Sequence, residues 1–252
     1  MITGASSGLG FELSKIFARE GYDLVLVARS EDKLNSLKEE IESVYNKKAY
    51  VFPADLSKSN APDDILAYTN ENNLSIDILV NNAGFGDFGE FSKLDVNKQT
   101  NMINVNVTAL TRLCRLFIPQ MTERKSGKIL NVASIAAFQA GPLMAVYYAT
   151  KAFVISLSDA LSFELKNSGV TVTALCPGPT KTGFEDGAQL EKSGLFKNLK
   201  VATARDVSEY AYKALMKNKT IAVHGLLNKL VVIGAKFAPR KLSRFMAYNI
   251  QK

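Results

Sequence analysis

The glycine-rich turn TGASSGLG at residues 3–10 most constrains what this chain can fold into. Its glycines at 4, 8 and 10 leave the backbone bare, and Leu9, Leu13, Ile16 and Phe17 then recur at helical spacing until Gly21 ends the pattern. The apolar run DLVLVAR comes next and reads as a buried strand. Strand, glycine turn, helix and strand make a dinucleotide-binding unit. The glycines admit a pyrophosphate to the backbone, and the positive end of the helix holds it. Gly4, Ser6, Ser7, Gly8, Leu9 and Gly10 are therefore candidate cofactor contacts. Only Met1 and Ile2 precede Thr3, so either the first strand is very short or a fuller form would extend it.

The alternation continues down the chain. SEDKLNSLKEEIESVYN is amphipathic at helical spacing, with Ser30 placed to cap it. KKAYVFPADLS gives a strand running to Asp55 and Leu56, and SIDILVNNAGFG one running into Asn81, Asn82, Ala83 and Gly84. Small and amide residues at a strand's carboxyl end suit a flat ring lying over the sheet edge. A helix is predicted over roughly 96–123. Asn106 sits near its middle, where asparagine is locally unfavourable; it holds water, kinks the backbone, or is an ordinary exposed residue.

GKILNVAS is a strand ending at Ser134, a helix spans 147–166, and GVTVTALCPGPTKT is a strand leading into the Pro177-Gly178 turn. Residues 182–200 read as a lid over the site, 205–217 as a helix, TIAVHG as a last strand, and 226–252 as a helical tail. With 252 residues, 47% of them apolar, and neither repeats nor linkers, one α/β domain is predicted. It is a single-domain Rossmann-type, doubly wound parallel sheet with helices on both faces.

Ser134, Tyr147 and Lys151 carry the chemistry. Residues at i and i+4 share a helix face, so Lys151 lies beside the Tyr147 ring. A phenol of pKa about 10 is a poor proton carrier near neutrality, and a neighbouring cation lowers that value. Ser134, arriving from a strand, can offer its hydroxyl to the same substrate oxygen. Tyr148, at i−3 from Lys151, is the less favoured partner.

Arg29 stands about twenty residues beyond the last glycine, where an acid would hold the ribose of NAD. An arginine there pairs with the 2′-phosphate instead, so NADP(H) is preferred over NAD(H). Ser30 can add a hydrogen bond, and Lys33 is a weaker candidate.

The net charge of +7 is read as scattered, with no dense basic run, so nucleic acid is not an expected partner. Cys114 and Cys176 have no ligand spacing and read as buried thiols, while a single histidine, His224, excludes a multi-histidine metal site; no metal is expected. Met1 leads straight into the glycine turn without a signal-peptide pattern. The longest apolar run of the tail, between Lys229 and Lys236, falls far short of about 20 residues, so a cytoplasmic protein is expected. Phe85, Phe88, Phe138, Met144 and Phe184 occupy segments that would face a pocket, which suits an apolar carbonyl or alcohol substrate. The tail mixes apolar residues with Lys229, Lys236, Arg240, Lys241 and Arg244. Packing over the pocket or at a subunit contact is preferred to peripheral membrane contact.

On these residues the chain resembles the short-chain dehydrogenase/reductase family, in its compact form, over nearly all its length. Thr3-Gly4 to Gly10 matches the family's TGxxxGxG turn, Asp55 its adenine-contacting acid, and Asn81 to Gly84 its NNAG motif. Asn106, Ser134, Tyr147 and Lys151 match its catalytic tetrad; Pro177 and Gly178 match its PG turn, and Thr182 the threonine that holds the nicotinamide carboxamide. The resemblance implies hydride transfer with Tyr147 as general acid in reduction and base in oxidation, and Lys151 lowering its pKa and holding the nicotinamide ribose; the preference for NADP(H) at Arg29 makes carbonyl reduction the expected direction. It also implies that Ser134 orients the substrate oxygen and that Asn106 positions a relay water. A homodimer or homotetramer built on the helices of Asn106 and Tyr147 is implied as well. A different class of function, an NADP(H)-sensing protein without turnover, stands against the complete tetrad.

Overall fold

The protein, seen in a computed structural model, is described over residues 1–183 and 201–251. The predicted lid therefore falls outside the described residues except for Thr182 and Gly183, and Phe184 falls outside them too.

The strands are β1 Ile2–Thr3, β2 Leu24–Ala28, β3 Ala49–Pro53, β4 Ile78–Asn81, β5 Gly127–Val132, β6 Val170–Cys176 and β9 Ile221–Val223. All pair in parallel, in the order β3-β2-β1-β4-β5-β6-β9. Two further strands, β7 Thr180–Lys181 and β8 Ala202–Thr203, pair separately. β1 is short, and Ile2 pairs with Leu26 on one side and Val80 on the other.

The helices are α1 Gly8–Arg19, α2 Glu31–Tyr45, α3 Ala61–Glu71, α4 Val96–Ile103, α5 Leu110–Glu123, α6 Ala145–Glu164, α7 Ala204–Met216, α8 Leu226–Phe237 and α9 Arg240–Gln251. Alternate strand residues feed two cores, because successive side chains point to opposite faces. Leu24, Leu26, Val80, Leu130 and Val132 pack with Leu13 and Phe17 of α1, Leu34 and Leu37 of α2, and Val207 and Ala211 of α7. Val25, Val27, Leu79 and Ile129 pack with Ile65 of α3, Leu113 and Phe117 of α5, and Val154 of α6. Full burial of each such aliphatic or aromatic side chain contributes roughly 1.5–3 kcal/mol. Two filled faces require helices on both sides of the sheet, as the alternation predicts.

The helix predicted over 96–123 is interrupted. Residues Asn104–Ala109 form a π-helical turn between α4 and α5, and Asn106 lies within it. Ser30 precedes α2 as expected, but its side chain makes no capping hydrogen bond. Cys114 and Cys176 are buried free thiols, and His224 stacks edge-on against Tyr210, with burial lowering its pKa. No described helix is long and apolar enough to cross a membrane.

β1 and β4 lie side by side at the centre, and the chain leaves them toward opposite flanks of the sheet. Their carboxyl ends form the crevice where ligands of such sheets bind. A cavity of about 390 Å³, lined by Met1, Leu24, Ile76 and Ile78 among others, holds none of the residues predicted to carry chemistry.

Candidate active site

At the crevice the TGASSGLG turn closes on itself. A Cβ on Gly10 would stand 2.2 Å from the Gly4 carbonyl oxygen, so this position admits only glycine. Gly8 has φ +55, and a Cβ there would meet the side chain of Thr182 at 2.9 Å. The turn after β6 thus returns to the glycine turn and brings two predicted cofactor segments together. Thr3 fixes the arrangement: its hydroxyl donates to the Val80 carbonyl and accepts from the backbone N–H groups of Asn82 and Ala83, both at 3.0 Å. The Asn82 amide donates in turn to the carbonyls of Thr3 and Gly4. Ser7, the residue preceding α1, makes no side-chain cap, and a helix start of this kind suits an anionic ligand.

Arg29 is exposed just beyond β2. Asp55 lies beyond β3, and its carboxylate accepts from the Ser57 N–H at 3.0 Å. That bond, followed by the charges of Arg29 and Lys58, holds its pKa below the usual carboxylate range. Leu56 is buried beside it, while Gly84 stands exposed after β4. A bare cradle, an uncapped helix end, and an exposed arginine near an acid fit a nicotinamide adenine dinucleotide. Pro177 is buried and accepts at its carbonyl from Ile135 N–H at 3.0 Å. Gly178 is fixed by a different demand, since a Cβ there would stand 2.5 Å from the amide of Asn228 on α8.

Ser134 follows β5 with extended backbone, its hydroxyl accepting from the Ala136 N–H at 3.1 Å. The same hydroxyl is hydrogen-bonded to the Tyr147 phenol. One turn along α6 the Lys151 ammonium donates to the Val132 carbonyl at 2.7 Å and lies 5.8 Å from the centre of the Tyr147 ring. A Cβ on Gly84 would stand 3.0 Å from Asn106 Oδ1 and 3.4 Å from Lys151 Nζ, so Asn106 and Lys151 flank that glycine. All four tetrad residues therefore converge at the crevice.

The electrostatics differ from the sequence expectation in one respect. The i, i+4 spacing alone predicts that Lys151 lowers the Tyr147 pKa. Instead burial pushes the phenol up to about 12, opposed by the bond to Ser134. Burial likewise lowers Lys151 to about 8. The reason is desolvation: removing either group from water disfavours its charged form, and the ammonium is spent on the Val132 carbonyl.

Sequence reasoning missed several supporting residues. Thr150 donates to the Tyr147 carbonyl at 2.7 Å and accepts from Asn106 at 3.1 Å. The buried carboxylate of Asp87 is held by Lys98 and Gln99, both at 2.7 Å, and steadies the segment after Gly84. Gln251, near the far end of the chain, donates to the Tyr148 hydroxyl at 2.6 Å, which makes Tyr148 a packing residue. Thr150 is local to Tyr147 on α6, while Asp87 and Gln251 reach their partners only through the fold.

The short chain dehydrogenase profile matches residues 1–192. An uncharacterized oxidoreductase of Staphylococcus epidermidis is 32% identical, over 84% of this chain and 89% of its own length. The ketoacyl reductase HetN of Nostoc sp. is 30% identical, over 97% of this chain and 86% of its own. Among solved structures, a short-chain dehydrogenase from Sphingobium yanoikuyae in complex with NADPH superposes with a TM-score of 0.82 at 32% identity, covering 93% of this chain and 92% of that one. With its seven-stranded parallel sheet, its convergent serine, tyrosine and lysine, and a profile match over most of its length, the chain belongs to the short-chain dehydrogenase/reductase family of oxidoreductases.

Proposed function

We propose that this oxidoreductase reduces an apolar ketone or aldehyde with NADP(H), using Tyr147 as the proton donor. The observation that carries this reading is the Tyr147 phenol bonded to Ser134, set beside the buried Lys151 at the mouth of the glycine cradle. Gly4, Ser6, Ser7, Gly8, Leu9 and Gly10 would hold the pyrophosphate, Asp55 and Leu56 the adenine, and Asn82 to Gly84 with Pro177, Gly178 and Thr182 the nicotinamide half. Arg29 would pair with the 2′-phosphate. The bound dinucleotide supplies the hydride.

The chain's own groups do the rest. Ser134 orients the substrate oxygen and polarises it through its hydroxyl. Burial pushes the Tyr147 phenol up to about 12, so it is protonated at neutral pH; though a weak acid, it remains stronger than an alcohol and can give its proton to a nascent alkoxide. In oxidation the same phenol would act as base. Lys151, buried and lowered to about 8, sits where it can pass a proton toward Tyr147 and contact the nicotinamide ribose. Both side-chain N–H groups of Asn106 are taken by Phe85 and Thr150, so its side chain acts as a positioning group. Ala136, Met144 and Tyr148, with Phe88 packed against them, form an apolar cluster around Tyr147, which supports an apolar substrate. The ketoacyl reductase among the relatives supports carbonyl reduction, and the NADPH complex supports the cofactor. We also propose self-association through α5 and α6; on α6 the exposed Phe153 and Phe163 offer apolar contact.

The test is NADPH consumption against aldehydes, ketones, quinones and steroids, with Tyr147→Phe as control. Turnover by the parent and none by the variant supports the reading. Tight NADPH binding with no turnover of any class would turn it toward a sensor.

A further inference from the structure

The two tail helices are attached by narrow stripes. Val232 is the one buried residue of α8, and α9 buries Ser243, Ala247 and Gln251, which share one face at i, i+4 and i+8. Those stripes cover the active-site side of the protein: Ser243 donates to Gln139, Gln251 to Tyr148, and the Lys236 ammonium lies 5.9 Å from the Phe138 ring centre. The tail thus packs against the body of the fold at Gln139 and Tyr148.

The remaining faces are apolar and open. Leu226, Leu230, Ile233 and Phe237 form one stripe of α8, with Leu227 and Val231 beside it; Phe237 is 84% exposed and Leu227 76%. On α9, Leu242, Phe245, Met246 and Ile250 are exposed opposite the buried stripe. Of the eighteen large apolar residues exposed among the described residues, eleven lie on these two helices. Such concentration marks an interaction surface rather than ordinary scatter.

Charge identifies the partner. Basic residues occur along the whole chain, as expected, but the net positive charge is carried by its last part. Nine of the 31 basic residues and none of the 24 acidic ones lie in residues 210–252, so that part carries +9 while residues 1–209 carry −2. Lys229, Lys236, Arg240, Lys241 and Arg244 are all exposed on the same two helices. A second copy of this face would set cations against cations with no carboxylate to pair them, because a two-fold interface joins a patch to itself. An anionic bilayer surface answers both features, taking apolar side chains at the headgroup boundary and offering phosphate and carboxylate to the cations.

We propose that α8 and α9 dock this protein peripherally on an anionic lipid bilayer, with the active-site side turned toward the membrane. The docking does not depend on whether Tyr147 turns over a substrate.

Co-sedimentation with vesicles of phosphatidylcholine, with and without phosphatidylserine, tests it. The expected result is binding to the phosphatidylserine vesicles that weakens with salt. Lys241→Glu with Arg244→Glu, and separately Phe237→Ser with Phe245→Ser, should each weaken it by roughly tenfold or more. All four positions are exposed, and unchanged circular dichroism and sedimentation mass would confirm that the variants fold. Tyr147→Phe should bind vesicles like the parent. Failure to bind phosphatidylserine vesicles overturns the proposal. If the apolar variants abolish self-association without any vesicle binding, the face belongs to a second copy.

Discussion

Asn106 clamps the peptide of Phe85 from both ends: its Oδ1 accepts from the Phe85 N–H at 3.1 Å, and its Nδ2 donates to the Phe85 carbonyl at 3.0 Å. The π-helical turn supports this reach, since the extra residue displaces Asn106 from regular helical register. The loop after Gly84 is thereby tied to α6 through Thr150.

Asn106→Ala would orphan the Phe85 N–H and carbonyl and remove a donor to Thr150. A stability loss of about 1–3 kcal/mol is expected in urea unfolding, together with weaker NADPH binding. An unchanged midpoint would mean that water replaces the clamp.

Tyr147→Phe removes the phenol hydroxyl and little else. Turnover should fall by roughly a hundredfold or more, while the NADPH dissociation constant, read by fluorescence titration, stays within about twofold. Retained turnover would remove Tyr147 from the chemistry.

Arg29→Ala should weaken NADPH binding by about ten- to a hundredfold and leave NADH binding nearly unchanged, because only the former carries a 2′-phosphate for a charge-assisted bond. Equal losses for both cofactors would place Arg29 elsewhere in recognition.

Gly10→Ala drives a methyl group against the Gly4 carbonyl, 2.2 Å away, where only backbone can yield. A loss of about 1–3 kcal/mol and a collapse of cofactor affinity are expected. Calorimetry with and without NADPH separates the two effects.

Lys151 gives a pH signature. Its folded pKa of about 8 lies below the ordinary 10.5, so between those values the unfolded chain binds the proton that the fold has released. Stability should therefore rise with pH across that window, and the penalty of the buried ammonium is fully present below it. Tyr147 acts with the opposite sign only above pH 10, where the fold retains its proton. From pH 8 to pH 10 the parent should gain on the order of 2 kcal/mol relative to Lys151→Met. Parallel stability curves would show that the ammonium is better solvated than its surroundings indicate.

The sheet-and-helix alternation, the glycine cradle and the pairing of Tyr147 with Lys151 are legible in the residues alone. Each is a local pattern: a period of two or 3.6, a glycine where backbone must approach, a pair one helical turn apart. What meets across long separations depends on how the elements pack. Thr3 against Asn82, Thr150 against Asn106, Asn228 against Gly178 and Gln251 against Tyr148 are meetings that no spacing announces. Packing also decides the protonation balance, because desolvation depends on what surrounds a group and not on its neighbours in the chain; hence Tyr147 is raised where the i, i+4 lysine alone would lower it. The tail shows the same division. Its amphipathic composition was plain in the sequence, but which faces were covered depended on the stripes of α8 and α9 that found a place on the body of the fold.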